Sequence, residues 1–136
     1  MNYQNFTRGS EVSHLVQKSL KGEALVDQHQ QIELANAFIA QLEGKEKHYS
    51  MADAVEDASL ENAYLVQDSF IDIMQQRGEQ IVGWKVALTS KAMQEFCGVD
   101  HPLSGAIFRS RVHESPSQVS LSAHRHLGIE CEIAVR

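Results

Sequence analysis

The chain has little of what marks several protein classes. It contains two prolines and two cysteines in 136 residues. Cys97 and Cys131 are widely spaced and form no CxxC. They fit reduced thiols in a cytoplasmic protein better than a disulfide framework, with a single bridge between them as the alternative. No apolar run approaches the roughly 20 residues needed to cross a bilayer. The start, Met1-Asn2-Tyr3-Gln4-Asn5-Phe6-Thr7-Arg8, lacks the apolar stretch of a secretory signal. The default expectation is therefore a cytoplasmic location and no membrane partner. Positive charge is also scarce, with 12 Lys and Arg against 18 Asp and Glu and a formal net charge of −6. The basic residues are scattered, so no stripe is available to neutralise phosphates and nucleic acid is not an expected partner. Internal repeats, low-complexity tracts, a glycine-rich phosphate loop and a G-x-S-x-G nucleophile elbow are all missing.

What is present reads as one ordinary globular domain, with 43% hydrophobic and 22% charged residues. The first half has helical spacing. Ser10 caps a helix through Val12, Leu15, Val16 and Leu20 that Gly22 stops. A second helix starts near Asp27, carries Ile32, Leu34, Ala35, Phe38, Ile39 and Leu42, and ends at Gly44. The polar stretch 45–58 is a connection. Ser59 then opens a helix with Leu60, Ala63, Tyr64, Phe70, Ile71 and Met74 on one stripe, closed by Gly78. Beyond it the pattern turns to strands: 80–88, 105–108, 118–121 and 128–135, with one short helix over 91–96 capped by Ser90 and stopped by Gly98. Pro102 and Pro116 fall between elements. Helices followed by strands predict an α+β fold, with a helical region over 1–78 and the first part of a β-rich domain over 79–136.

Chemistry concentrates at the end of the chain. In a strand, Glu130 and Glu132 share a face, and like charges aimed together call for a cation or a shared proton. Their hard oxygens suit Mg²⁺ or Mn²⁺. The bland alternative is an edge strand with solvated glutamates. Cys131, between them, is expected to face into packing. Lys85 stands within the apolar run Ile81-Val82-Gly83-Trp84-Lys85-Val86-Ala87-Leu88, either as a snorkelling strand lysine or as a cation that pairs with a substrate carboxylate or helps move a proton. Thr89 and Ser90 cap the next helix or contact substrate oxygens. Trp84 reads as core, and Tyr64 and Gln67 as a helix face against the sheet. His124 and His126 form an H-x-H, a softer zinc-like alternative or simply loop residues.

These pieces carry a resemblance over 58–136: Asn62-Ala63-Tyr64-Leu65-Val66-Gln67, the 81–90 segment, Gly98-Val99-Asp100-His101-Pro102 with Ser104-Gly105, and Gly128-Ile129-Glu130-Cys131-Glu132-Ile133-Ala134. In this order and spacing they resemble the N-terminal half of the 2-keto-4-pentenoate hydratase group of the fumarylacetoacetate hydrolase superfamily. The resemblance implies a mixed β-roll and metal-dependent catabolism of aromatic compounds. Members hydrate 2-hydroxy-2,4-dienoates, and close relatives decarboxylate 4-oxalocrotonate. It implies Glu130 and Glu132 as metal ligands, Lys85 at the substrate site, and a third acidic ligand beyond Arg136. Many relatives carry an acidic residue just before the glycine matching Gly105, where this chain has Leu103-Ser104. Relatives are about twice this length, and a homo-oligomer is the expectation for the full-length protein. The expectation is therefore an apparently truncated enzyme, with a non-catalytic fragment as the rival reading.

Overall fold

The computed structural model describes residues 25–44, 50–124 and 127–135. The helix expected over 10–22 lies outside them. Helix α1, Gln28–Leu42, begins where Asp27 accepts a hydrogen bond from the Gln30 amide, which satisfies a donor that the first helical turn leaves free. Gly44, at φ +71°, follows its end. The connection holds a 3₁₀ turn at Met51–Ala54. Helix α2, Leu60–Gln76, starts at Ser59, whose hydroxyl accepts from the Asn62 amide.

The two helices pack through a narrower stripe than the spacing predicts. Leu34, Ala35, Ile39 and Ile71 are buried, whereas Ile32 and Leu42 are 42% and 53% exposed. Phe38 stacks edge-on against Phe70 at 5.3 Å between ring centres, and Phe70 against Phe108 at 5.8 Å. Edge-to-face geometry suits the aromatic quadrupole, so three rings tie α1, α2 and the sheet together. Asn62 is the main polar anchor. Its Oδ1 accepts from the Val26 amide at 2.9 Å, and its Nδ2 donates to the Asp57 carbonyl at 2.8 Å. Arg77 and Glu43 join the helix ends at the surface, 3.0 Å apart.

Strands β1, Ile81–Ala87, and β2, Leu103–Phe108, form a two-stranded antiparallel sheet, with Lys85 opposite Gly105 and Val86 opposite Ser104. A register shift between Ile81 and Gly83 bends β1 near its start. Helix α3, Lys91–Cys97, lies between the strands in sequence, capped by Ser90 and ended by Gly98 at φ +71°. The fold is α+β, as the order of elements predicts. At the outer edge of β2, Tyr64 Oη accepts from the Ser104 amide at 3.1 Å and Gln67 Nε2 donates to the Ser104 carbonyl at 3.2 Å. The expectation that Tyr64 and Gln67 lie against the sheet is met through polar contacts.

Several expectations are corrected. No strand forms over 118–121, where the chain instead makes a 3₁₀ turn at Leu121–Ala123. Residues 127–135 adopt neither helix nor strand. Ile129, Ile133 and Val135 are about nine-tenths or more exposed, at 89%, 96% and 91%. A strand is held by a neighbour's backbone groups, and alternating sequence alone does not supply them. Trp84, expected in the core, is 58% exposed, and Val82 and Val86 on the same strand are 47% and 54% exposed. Helices cover one side of a two-stranded sheet and leave the other bare.

Candidate active site

The site is assembled around the end of β1. Lys85 reaches its position because β1 alternates, which sets it on the face opposite Trp84 and Val86. Its Nζ lies 4.0 Å from Glu132 Oε1, with both side chains about half exposed (51% and 56%). The structure thus brings Lys85 and Glu132 together across 47 residues of sequence. An exposed pair at this distance is worth little to stability. Lys85 is not the buried lysine that its apolar surroundings suggest. A Cβ built on Gly105, its cross-strand partner, would meet Lys85 Cγ at 3.9 Å, an ordinary contact.

Glu130 is exposed and lies in the irregular segment with Glu132. The premise that the two share a strand face therefore does not hold. Cys131 is a free, exposed thiol rather than a packed one, and Cys97 is likewise free and exposed. The donor chemistry of Glu130 and Glu132 suits a hard divalent cation. Among the described residues, however, no group of three or more His, Cys, Asp or Glu side chains stands close enough to hold a metal.

Ser90 accepts from the Met93 amide at 3.3 Å and is the N-cap of α3, which leaves its hydroxyl proton free to donate. Thr89 is exposed beside it. His124 bonds through Nδ1 to the Ser120 carbonyl at 3.0 Å, a local loop contact; His126 lies outside the described residues.

Sequence reasoning missed two features. Leu88, directly after β1, has φ +55° in the left-handed region, with no glycine or asparagine to signal it. Its carbonyl accepts from Gln94 Nε2 at 2.8 Å. The second is the contact within the 98–102 motif, where Asp100 is hydrogen-bonded to His101 Nδ1. That hydrogen bond, and then the His101 charge, hold the Asp100 carboxyl below its ordinary value of 3.8. An apolar pocket of about 270 Å³ lies elsewhere, among Leu34, Met51, Val55, Ala63 and Val66. None of the candidate site residues lines it.

No family model matches the chain. Over 79 residues it is 38% identical to a 2-keto-4-pentenoate hydratase of Burkholderia vietnamiensis, a match covering 58% of this chain and 29% of that protein. A 2-keto-4-pentenoate hydratase of Paraburkholderia phymatum is 37% identical over 79 residues, with the same coverage. One of Paraburkholderia xenovorans is 30% identical over 83 residues, covering 61% and 31%. The matched segment thus spans about three-tenths of the length of these relatives. Among solved structures, 4-oxalocrotonate decarboxylase from Pseudomonas putida G7 aligns with a TM-score of 0.60 at 24% identity, covering 65% of this chain and 34% of that one. That enzyme was solved with calcium and acetate and with magnesium and adipate. Its likeness establishes the shared fold. Together the comparisons fit the 2-keto-4-pentenoate hydratase group of the fumarylacetoacetate hydrolase superfamily over part of the chain.

Proposed function

We propose that this chain carries part of the active site of a metal-dependent hydratase that converts 2-hydroxypenta-2,4-dienoate and water to 4-hydroxy-2-oxopentanoate. The observation that carries the reading is the approach of Lys85 to Glu132, taken with the partial likeness of the chain to 2-keto-4-pentenoate hydratases. Glu130 and Glu132 would hold a Mg²⁺ or Mn²⁺ ion together with donors outside the described residues. Bound there, the ion supplies Lewis-acid stabilisation of negative charge on the substrate's C2 oxygen.

The chain's own residues do the rest. The Lys85 ammonium presents three donors and full charge to the C1 carboxylate. Glu132 keeps that ammonium directed at the site from 4.0 Å. The Ser90 hydroxyl proton and the exposed Thr89, just past the end of β1, would bond substrate oxygens. Overall, the enol proton moves to the terminal carbon, and water then adds across the remaining double bond, hydroxyl to C4 and proton to C3. Substrate, product and water balance without an oxidant. Decarboxylation of 4-oxalocrotonate needs the same charge stabilisation at C2, so it stands as the alternative within the family. The cytoplasm is the proposed location, and a homo-oligomer the proposed full-length assembly.

A non-catalytic role is the second reading. It is favoured by the absence of a third metal ligand near Glu130 and Glu132 among the described residues. The deciding experiment measures hydration of 2-hydroxypenta-2,4-dienoate with Mg²⁺ or Mn²⁺, alongside Mn²⁺ binding by electron paramagnetic resonance. Glu130→Ala is expected to abolish metal binding and Lys85→Ala to lower turnover with the metal still bound. Turnover unchanged in both variants sinks the site assignment. Neither binding nor turnover in the wild type supports the non-catalytic reading, and CO₂ release from 4-oxalocrotonate transfers the activity to decarboxylation.

A further inference from the structure

We propose that Gln94 is a positioning residue that locks the turn between β1 and α3 and thereby sets where Thr89 and Ser90 stand relative to Lys85. The catalytic consequence rests on the function proposed above; the latch does not.

Leu88 is the non-glycine residue with positive φ among those described, at +55°. For a residue with a Cβ this conformation is disfavoured by roughly tenfold in population. Something must hold it, and the neighbouring contacts show what does. Gln94 is 3% exposed. Its Nε2 donates to the Leu88 carbonyl at 2.8 Å. Its own backbone is fixed on both sides: its amide donates to the Ser90 carbonyl at 3.0 Å, and its carbonyl accepts from the Val99 amide at 2.9 Å. The latch is therefore built on a rigid turn of helix.

The other half of the carboxamide sharpens the point. Gln94 Oε1 is buried without a hydrogen-bond partner. A buried acceptor left unpaired lowers stability, and an apolar side chain of the same length would fill the space without that cost. Space-filling does not account for a glutamine here; the bond to Leu88 does. Leu88 stands three residues after Lys85 and directly before Thr89. Its left-handed turn ends the strand and directs the chain into the Ser90 cap. Released, Leu88 relaxes toward ordinary backbone angles and carries Thr89 and Ser90 away from the end of β1.

The test compares the wild type, Gln94→Met, Leu88→Gly and the double variant. Methionine preserves length and removes both the donor and the unpaired acceptor. Glycine adopts the left-handed conformation without steric cost. The readouts are hydrogen exchange at the Met93 and Gln94 amides, which bond to Ser90, and the thermal midpoint. Gln94→Met is expected to speed exchange at these amides about tenfold, the size of the conformational preference it releases. In the Leu88→Gly background the same substitution changes exchange less than about twofold. Equal changes in both backgrounds, or unchanged exchange with a raised midpoint, overturn the latch and leave Gln94 a space-filling residue. If Gln94→Met does not fold, restoration of folding by Leu88→Gly supports the latch and lack of restoration overturns it. Mn²⁺-dependent binding of oxalate gives the catalytic arm: it weakens in Gln94→Met and recovers in the double variant. A wild type that does not bind oxalate overturns the proposed function and the catalytic half of this inference, while the exchange rates decide the latch alone.

Discussion

Between residues 25 and 108 each described α-helix opens on a side-chain cap, from Asp27, Ser59 or Ser90, and the two strands pair in a defined register. From 109 to 135 the described chain has two short 3₁₀ turns as its regular structure. The apolar side chains are of the same kinds in both regions. Ile39 and Ile71 are buried, while Ile129 and Ile133 are almost fully exposed. What separates the regions is the presence of neighbours. A helix satisfies its backbone internally and needs partners only for its apolar stripe, whereas a strand needs another backbone alongside it before its own pattern has effect.

The sharpest way to break this contrast is one substitution made in both regions. Ile39→Ala is expected to cost about 2–5 kcal/mol, the range for truncating a buried aliphatic side chain. Ile133→Ala is expected to stay within about 0.5 kcal/mol. Denaturant unfolding of both variants measures the difference, and similar losses would show that residues 127–135 are packed in solution. Asn62→Ala comes next, at about 1–3 kcal/mol, because it leaves the buried Val26 amide and Asp57 carbonyl without their partner. Glu132→Gln should change stability by less than about 0.5 kcal/mol, since the Lys85 pair is half solvated. A large loss would mean that the pair ties the irregular segment to the sheet.

The smallest effect concerns pH. The Asp100 carboxyl is held below 3.8 by His101, so the stabilisation it contributes is present above the ordinary carboxylate range. That contribution is lost as pH falls through the lowered folded value. His101→Asn should raise the Asp100 carboxyl toward 3.8, read by NMR titration of its side chain. A carboxyl that does not move would remove His101 as the cause.

These comparisons also show what can be read from sequence. The caps and glycine stops of α1, α2 and α3 act within a few residues, so Asp27, Ser59, Ser90, Gly44 and Gly98 were legible one by one. Lys85, Thr89 and Ser90 were legible as candidates through the motif around β1, and Glu130 and Glu132 through the one near the end. Their arrangement was not, because it depends on contacts 40 or more residues apart: Lys85 with Glu132 is one of these, and Ser104 with Tyr64 another. The exposure of Trp84 and the unpaired state of 127–135 depend on what lies beside them, which no local pattern encodes. Leu88 escaped for the opposite reason. Leucine carries no mark of a left-handed turn, and the residue that holds it is six positions away.

The two bonds from α2 to Ser104 give the hairpin a direction of growth. With its amide and carbonyl both taken by Tyr64 and Gln67, β2 meets any incoming strand with a docked helix instead of a free ladder. A strand adding on that side must first break two hydrogen bonds, whereas one adding along β1 breaks neither. Extension of the sheet, whether by more of the same fold or by another chain, is thereby biased toward one margin, the one that carries Lys85.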